Sequence, residues 1–288
     1  MSFKIFTDST CDIHKEDLIA WDVTVIKPIL YFTDREDEKY CDGDFTSKEF
    51  YDEMRKGRLA RTAGLNMQDY SDAFEEELRK GNDVLHLGFS SACSSTYSCS
   101  QMAAEDLSEK YPDRKVLTVD TLSQSAGQGM LLKMAVDRRD AGQSIEEVKE
   151  FLEEEKRKIA HWFLVDDLQY LKRNGRLSSA SAVIATVLNI KPILHTDNDG
   201  SLVAVEKIRG RKQAIKRMID IYGEKAIHPN EGPVYLNHAD CLEDVKFMEE
   251  LLYKEYGVKA EYIADIGPVI GSHVGPGTMS IFYEAKER

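Results

Sequence analysis

The chain has 288 residues, of which 42% are hydrophobic and 31% are charged, and its formal net charge is −13 at pH 7. This composition is ordinary for a soluble globular protein with room for two domains, and it excludes the disordered and fibrous classes. The negative charge argues against nucleic acid as the main partner. No run approaches the roughly 18 apolar residues of a membrane span, and no signal peptide precedes the first strand pattern. We therefore expect a cytoplasmic protein without stable membrane insertion.

The five cysteines, at positions 11, 41, 93, 99 and 241, form no C-x-x-C pair. They also have no zinc-ligand spacing with histidine. We interpret them as reduced thiols, and we expect neither a metal nor a cofactor.

The first third of the chain alternates short strands with short helices. A strand at residues 3–7 ends in a turn at residues 8–12, where polar side chains typically bond to their own backbone. An extended stretch at residues 23–32 is interrupted by Pro28, which indicates an edge strand or two short pieces. Further predictions are a helix at residues 14–20, a helix that begins with the capping box of Thr46 and Glu49 and ends near Gly57, a loop at residues 61–66 and a helix at residues 68–80.

The stretch at residues 84–97 runs from an apolar strand into a cluster of hydroxyl groups. A helix at residues 95–111 follows, since Ser100, Ala104, Leu107 and Tyr111 fall on one helical stripe. Free N–H groups at a helix start attract anions, so the turn can bind an anionic oxygen. Its hydroxyl side chains are Ser90, Ser91, Ser94, Ser95 and Thr96. The alternative is that these side chains only cap the helix.

The pattern continues with a strand at residues 115–119, a polar segment at residues 120–129 and a helix rich in Met and Leu. A second capping box, at Ser144 and Glu147, begins a further helix. Strands that alternate with helices indicate a parallel sheet covered by helices on both faces. We predict a three-layer N-terminal domain over residues 1–157.

Residues 158–288 have a different pattern and are predicted to form a C-terminal α/β domain with a mixed sheet. Two strands, at residues 190–195 and 202–208, flank a hairpin turn at residues 196–200 and must be antiparallel. The other predicted strands are at residues 161–165, 234–237, 259–266 and 278–283, and the predicted helices are at residues 179–188, 210–222 and 241–256. A glycine-rich loop at residues 270–277 carries His273.

The sequence contains no G-x-G-x-x-G motif and no Walker lysine, so it does not support nucleotide binding. Residues 88–92, Gly-Phe-Ser-Ser-Ala, come close to a nucleophile elbow after a strand. An alternative function is therefore a serine hydrolase with Ser90 as nucleophile and His238 or His273 as base, although no acid of a triad can be named.

Five segments in order, at residues 7–10, 90–97, 120–129, 167–176 and 271–277, resemble the DegV family of bacterial fatty-acid-binding proteins. The resemblance covers nearly the whole chain. It implies two α/β domains around a long-chain fatty acid, whose carboxylate lies between Thr62, Ser94 and His273. It also implies a partner, a fatty-acid kinase that converts the bound acid to an acyl phosphate, so that this chain is a carrier without catalytic residues.

The same resemblance assigns Arg173 and Arg209 to contact with the kinase, and guanidinium groups suit carboxylate or phosphate on a partner. Nearby Arg211 is interpreted as ordinary solvated charge, and Arg176 receives no role. Ser95 replaces the glycine usual in the family, so it either adds a donor to the carboxylate site or narrows the pocket. The apolar residues that line the slot cannot be separated from the core by periodicity.

Overall fold

The computed structural model describes residues 3–177, 189–286 and 288, so the helix predicted at residues 179–188 lies outside the described residues. The first half comprises β1 (Phe3–Asp8), a 3-10 turn (Ser9–Cys11), α1 (Lys15–Ala20), β2 (Val23–Ile26), β3 (Ile29–Phe32), α2 (Ser47–Arg55), β4 (Ala60–Ala63), α3 (Met67–Arg79), β5 (Asp83–Gly88), α4 (Thr96–Lys110), β6 (Val116–Asp120), α5 (Ala126–Asp140) and α6 (Ile145–Glu155).

The second half comprises β7 (Ile159–Leu164), α7 (Gln169–Arg173), β8 (Ile190–Thr196), β9 (Leu202–Arg209), α8 (Arg211–Lys225), β10 (Val234–His238), α9 (Leu242–Tyr256), β11 (Tyr262–Asp265), α10 (Pro268–Val274) and β12 (Met279–Glu284). Among the described residues, no helix is both long and apolar enough to cross a bilayer.

The N-terminal sheet has the strand order β2-β1-β5-β6, and every neighbouring pair is parallel. Side chains alternate between its faces, as a strand requires. Phe6 and Val84 pack with α3 and α4 on one face. Ile5 and Leu85 pack with α5 and α6 on the other. The predicted three-layer arrangement is confirmed.

The second sheet has the order β11-β10-β12-β7-β8-β9 and is mixed, because only β10 and β11 are parallel. Trp162 and Leu164 of β7 pack with α8 and α9 in one buried core. The opposite face of β7 presents His161 and Phe163 to the interior between the two sheets. The predicted mixed α/β fold is confirmed, whereas the domain boundary between residues 157 and 158 stays a prediction.

Helix α5 lies between the two sheets and has no polar face along most of its length. Its residues from Ala126 to Leu132 are all buried, which is typical of a helix enclosed by protein on every side. Two glycines permit this close packing: a Cβ at Gly127 would lie 2.3 Å from Cε1 of His161, and one at Gly129 would lie 2.5 Å from Cδ1 of Ile13. The helix therefore fixes the spacing between the sheets.

The small antiparallel sheet of β3 and β4 packs with elements of the second half. Phe32 and Tyr51 belong to the same buried cluster as Leu171, Ile266 and Ile270. This packing brings Thr62 of β4 next to α10. Residues 29–63 thus form one wall of the space between the two large sheets.

Two segments predicted as loops are regular structure. Residues 60–63 form β4, whose pairing partner β3 lies about thirty residues away, so no local signal marks it as a strand. Residues 268–274 form α10, with Pro268 at its first turn and Gly275 at a φ of 80° just beyond its end. His273 therefore lies on a helix, and Gly271 faces Tyr51 rather than a ligand.

Candidate ligand site

A cavity of about 920 Å³, including its open mouth, lies between the parallel sheet and the mixed sheet. Small-molecule sites in proteins are mostly apolar with a few precisely placed polar groups. The apolar side chains of this cavity come from both halves of the chain: Pro28, Phe89, Phe163, Leu171, Leu202, Ile266, Val269, Ile270, Val274 and Phe282. The sequence could not separate these residues from the core.

At one part of the cavity wall, the turn before α4 presents the hydroxyl of Ser94. The backbone N–H of Thr96 donates to Ser94 Oγ over 3.3 Å, and the Thr96 hydroxyl donates to it over 3.2 Å. The predicted hydroxyl-rich turn at a helix start is therefore present. Two of its hydroxyl residues, Ser94 and Thr96, line the cavity.

Thr62 and His273 meet across the cavity wall from β4 and α10. Thr62 Oγ1 lies 3.0 Å from His273 Nε2, although 211 positions separate the two residues in the sequence. Burial, followed by the charge of Arg176, lowers the pKa of His273 to about 4. The imidazole is therefore neutral near pH 7, and its Nδ1 has no partner among the described residues.

Arg176 is the cationic side chain of the cavity wall. Its Nε donates to the carbonyl oxygen of Cys93 over 3.2 Å, and its Nη1 donates to the carbonyl oxygen of Asn174. These contacts hold the guanidinium close to Ser94, and no acidic side chain among the described residues forms an ion pair with it. No role was predicted for Arg176; its signal in the sequence is its place at the end of the segment at residues 167–176.

Three of the four predicted carboxylate-binding residues, Thr62, Ser94 and His273, line the same cavity. Ser95 differs from them, because its side chain is exposed and it is not among the lining residues. It occupies the N-cap position of α4 without a side-chain capping bond. Its side chain therefore neither narrows the described cavity nor points to it as a further donor.

Ser90 is not arranged as a nucleophile. Its side chain is completely buried and its hydroxyl donates to the carbonyl oxygen of Gly200 over 3.0 Å. A nucleophilic serine needs a base within hydrogen-bonding reach. No hydrogen bond joins Ser90 to a histidine in the described part of the chain, and His238 instead lies 3.2 Å from Asp265. The geometry does not support the serine hydrolase alternative.

Asp8 lies in the predicted polar turn at residues 8–12, but the hydrogen bonds of its side chain go to distant residues. Its carboxylate instead accepts from Tyr70 Oη over 2.9 Å and from the N–H of Phe89 over 3.3 Å, and His86 Nε2 lies 3.4 Å away. Asp8, Tyr70 and His86 are essentially unexposed. The buried carboxylate thus ties β1 to β5 and α3 at the end of the parallel sheet.

Arg173 and Arg209 are both exposed, at the ends of α7 and β9. Neither forms an ion pair with a described residue, whereas Arg211 bonds to Asp166, Asp244 and the carbonyl oxygen of Gly277. Arg211 is therefore a structural side chain, which corrects its interpretation as solvated charge. Arg173 and Arg209 remain available on the surface.

All five cysteines are free thiols in the structure. Burial raises the pKa of Cys93, in the cavity wall, to about 11, so this thiol is neutral and contributes an apolar surface. Within the described ranges, no group of three or more His, Cys, Asp or Glu side chains could hold a metal ion.

The fold and the cavity define a two-domain α/β protein with a mostly apolar ligand cavity and a few polar groups on its wall. The sequence profile of the family described as "Uncharacterised protein, DegV family" matches residues 2–286. The chain belongs to the DegV family.

Similar proteins span the full chain. A DegV domain-containing protein of Clostridium perfringens is 39% identical over 281 residues, which cover 98% of this chain and 97% of that protein. The structure of a DegV family protein from Thermus thermophilus, described by its fatty-acid binding, is 28% identical with a TM-score of 0.88 and covers 99% of this chain and all of that one. DegV of Bacillus subtilis, described as a fatty-acid-binding protein, is 32% identical with a TM-score of 0.85 over 99% of this chain and all of that one.

Proposed function

We propose that this protein binds one long-chain fatty acid in the cavity between its two sheets. The observation that carries the proposal is the meeting of Thr62, Ser94, His273 and Arg176 on the wall of a cavity that is otherwise mostly apolar. The fatty-acid binding of the relatives from Thermus thermophilus and Bacillus subtilis supports it.

The chemistry of these groups suits a carboxylate. A carboxylate only accepts hydrogen bonds, so it needs donors, and charge-assisted bonds are short and strong. If the neutral His273 donates from Nε2 to Thr62, then the hydroxyls of Thr62 and Ser94 are both free to donate to the ligand. Arg176 supplies a positive charge at the same place, and its partners among the described residues are carbonyl oxygens.

The apolar wall supplies most of the binding energy. Each buried methylene contributes about 0.8 kcal/mol, so a chain of roughly 16 carbons gains far more from burial than from its head group. The carboxylate contacts then fix which end of the ligand lies at Ser94. The protein binds and orients the acid and performs no chemistry on it.

The test is mass spectrometry of an organic extract from the purified protein, beside the same extraction from the Ser94→Ala, His273→Ala double variant. We expect a nearly stoichiometric fatty acid from the wild-type protein and a strongly reduced amount from the variant. A wild-type extract without fatty acid, together with no binding of added palmitate or oleate, would contradict the proposal.

We also propose that the bound acid is presented to a fatty-acid kinase, which forms the acyl phosphate, and that Arg173 and Arg209 contact this partner. Their exposure and lack of ion pairs with described residues support the assignment.

Changing Arg173 or Arg209 to Ala is expected to leave fatty-acid affinity intact and to abolish acyl-phosphate formation by the kinase. Arg79→Ala is the matched control, since Arg79 is equally exposed but lies in the last turn of α3 and pairs with Glu75. If the Arg173 or Arg209 variant loses fatty-acid binding to the same extent as acyl-phosphate formation, this role is refuted.

A further inference from the structure

The hydroxyl oxygen of Ser94 accepts two hydrogen bonds, and both come from Thr96. A serine hydroxyl carries one proton and two lone pairs. Both the N–H and the O–H of Thr96 donate to Ser94 Oγ, over 3.3 and 3.2 Å. The Ser94 proton itself has no acceptor among the described residues. Ser94 is thereby prepared to donate to a ligand and not to accept from one.

Thr96 is held rigidly enough to impose this arrangement. Its side chain is only 5% exposed, and it is the first residue of α4, so its backbone is fixed by the helix. A β-branched side chain has few rotamers. Gly64 lies against its methyl group, since a Cβ at Gly64 would be 3.5 Å from Thr96 Cγ2. The methyl therefore occupies the side toward Gly64, and the hydroxyl is directed to Ser94.

A second oxygen near Thr96 does not supply a competing proton. The hydroxyl of Tyr70 also interacts with Thr96. However, Tyr70 donates its own proton to the buried carboxylate of Asp8 over 2.9 Å. The Tyr70 oxygen can therefore only accept from Thr96, but the hydrogen bond that the Thr96 hydroxyl forms is the one to Ser94 Oγ, over 3.2 Å. This donation is strengthened when Ser94 donates onward to a ligand, because hydrogen bonds in a chain strengthen one another.

We propose that Thr96 is a positioning residue that makes Ser94 a dedicated donor, so that the site selects an ionised carboxylate over a neutral head group on the same chain. The inference rests on the proposed fatty-acid binding and goes beyond it by naming the residue that sets the direction of the Ser94 hydrogen bond. Thr96 also lines the cavity, but the role proposed for it acts through Ser94.

The test compares delipidated wild-type protein with Thr96→Val and Thr96→Ser, using palmitate and 1-hexadecanol as ligands in a fluorescence displacement titration. Valine keeps the shape and the backbone N–H but removes the hydroxyl, so palmitate affinity should fall about tenfold, the size expected for one hydrogen bond to a charged group. Thr96→Ser restores the hydroxyl, so its palmitate affinity should lie within about twofold of that of wild type.

The affinity for 1-hexadecanol should be nearly the same in all three proteins. Equal losses for palmitate and 1-hexadecanol would overturn the inference, because a merely structural change affects both ligands.

A double-variant cycle tests the coupling directly. In a Ser94→Ala background, Thr96→Val should cause no further loss of palmitate affinity, since Thr96 then has no hydroxyl to orient. Additive losses would contradict the proposed mechanism.

A measurement on the unaltered protein does not depend on the folding of any variant. The carbon NMR signal of bound, carboxyl-labelled palmitate should titrate below the ordinary carboxylic acid pKa of about 4.3, because donors lower a carboxylate pKa. A bound carboxyl that titrates above that value would overturn the inference. Absence of palmitate binding by wild type would instead refute the proposed function, so the two failures are distinguishable.

Discussion

His273 combines a buried position with a neutral charge state, and this gives the residue a measurable effect on stability. Burial, followed by the nearby Arg176, lowers its pKa to about 4 in the folded protein, whereas an unfolded histidine has a pKa of about 6.5. Between these values the unfolded chain binds the extra proton, so the free energy of unfolding falls as the pH drops from about 6.5 towards 4. We expect His273→Gln to reduce this loss by an amount on the order of 3 kcal/mol at most.

The measurement is urea unfolding of delipidated wild-type protein and His273→Gln at pH 7 and pH 5. His161, His195 and His238 also have lowered pKa values through burial, so both proteins lose stability in acid. Only the difference between them reports on His273. Identical losses in the two proteins would mean that His273 is not held neutral by its surroundings.

For individual residues, the sequence predicted which side chains belong to the site better than it predicted the residues that they contact. Thr62, Ser94 and His273 were predicted through family resemblance and do line one cavity, but no spacing rule joins residues 211 positions apart. Arg176 had no predicted role, because its contact with Cys93 spans 83 positions. Such contacts exist only after the two sheets have packed together.

Helix α10 positions His273, and its packing against α2 gives the prediction at the scale of elements. A Cβ at Gly271 would lie 2.3 Å from the hydroxyl oxygen of Tyr51, which is fully buried and donates to the carbonyl oxygen of Ile266. Tyr51 cannot move without losing this bond. Gly271→Ala should therefore lower the free energy of unfolding by about 1–3 kcal/mol, the usual result of overpacking. It should also weaken fatty-acid binding by displacing His273.

Gly64→Ala is the matched control for this substitution. Its Cβ would meet only Thr96 Cγ2 at 3.5 Å, an ordinary contact, and Gly64 is not in the left-handed region. Urea unfolding of the two alanine variants should place Gly64→Ala close to wild type and Gly271→Ala well below it. Equal stability of the two variants would show that α10 can move away from Tyr51 freely.

Elements with a local signal were predicted well from the sequence. The capping boxes at Thr46 and Ser144 begin α2 and α6, and their hydrogen bonds are formed by the neighbouring residues themselves. The elements that the sequence missed depend on distant partners. Strand β4 exists because it pairs with β3, and α10 is too short for periodicity to distinguish it from a loop.

At the scale of the whole molecule, the two sheets are joined by shared buried structure and not by a flexible linker alone. Helix α5 contacts strands of both sheets. The carbonyl oxygen of Gly200, in the hairpin between β8 and β9, accepts from Ser90 and from Gln124 Nε2 over 2.8 Å. Gln124 Oε1 in turn accepts from the hydroxyl of Thr196. These contacts couple the walls of the cavity, so the ligand site forms only when both halves are folded.

This coupling predicts a single unfolding transition, and the chain carries its own probes. It has two tryptophans: Trp21 packs with the core of the parallel sheet, and Trp162 lies in the core of the mixed sheet. The variants Trp21→Phe and Trp162→Phe each leave one probe. Their fluorescence transitions in urea should each coincide with the same variant's loss of far-ultraviolet circular dichroism, because halves that share buried structure unfold together. Gln124→Leu removes the bonds to both Gly200 and Thr196 and should move both transitions to lower urea together, because α5 remains buried between the two sheets. Separate transitions with Gln124 intact would show that the halves are independent and that the cavity can open by unfolding one wall.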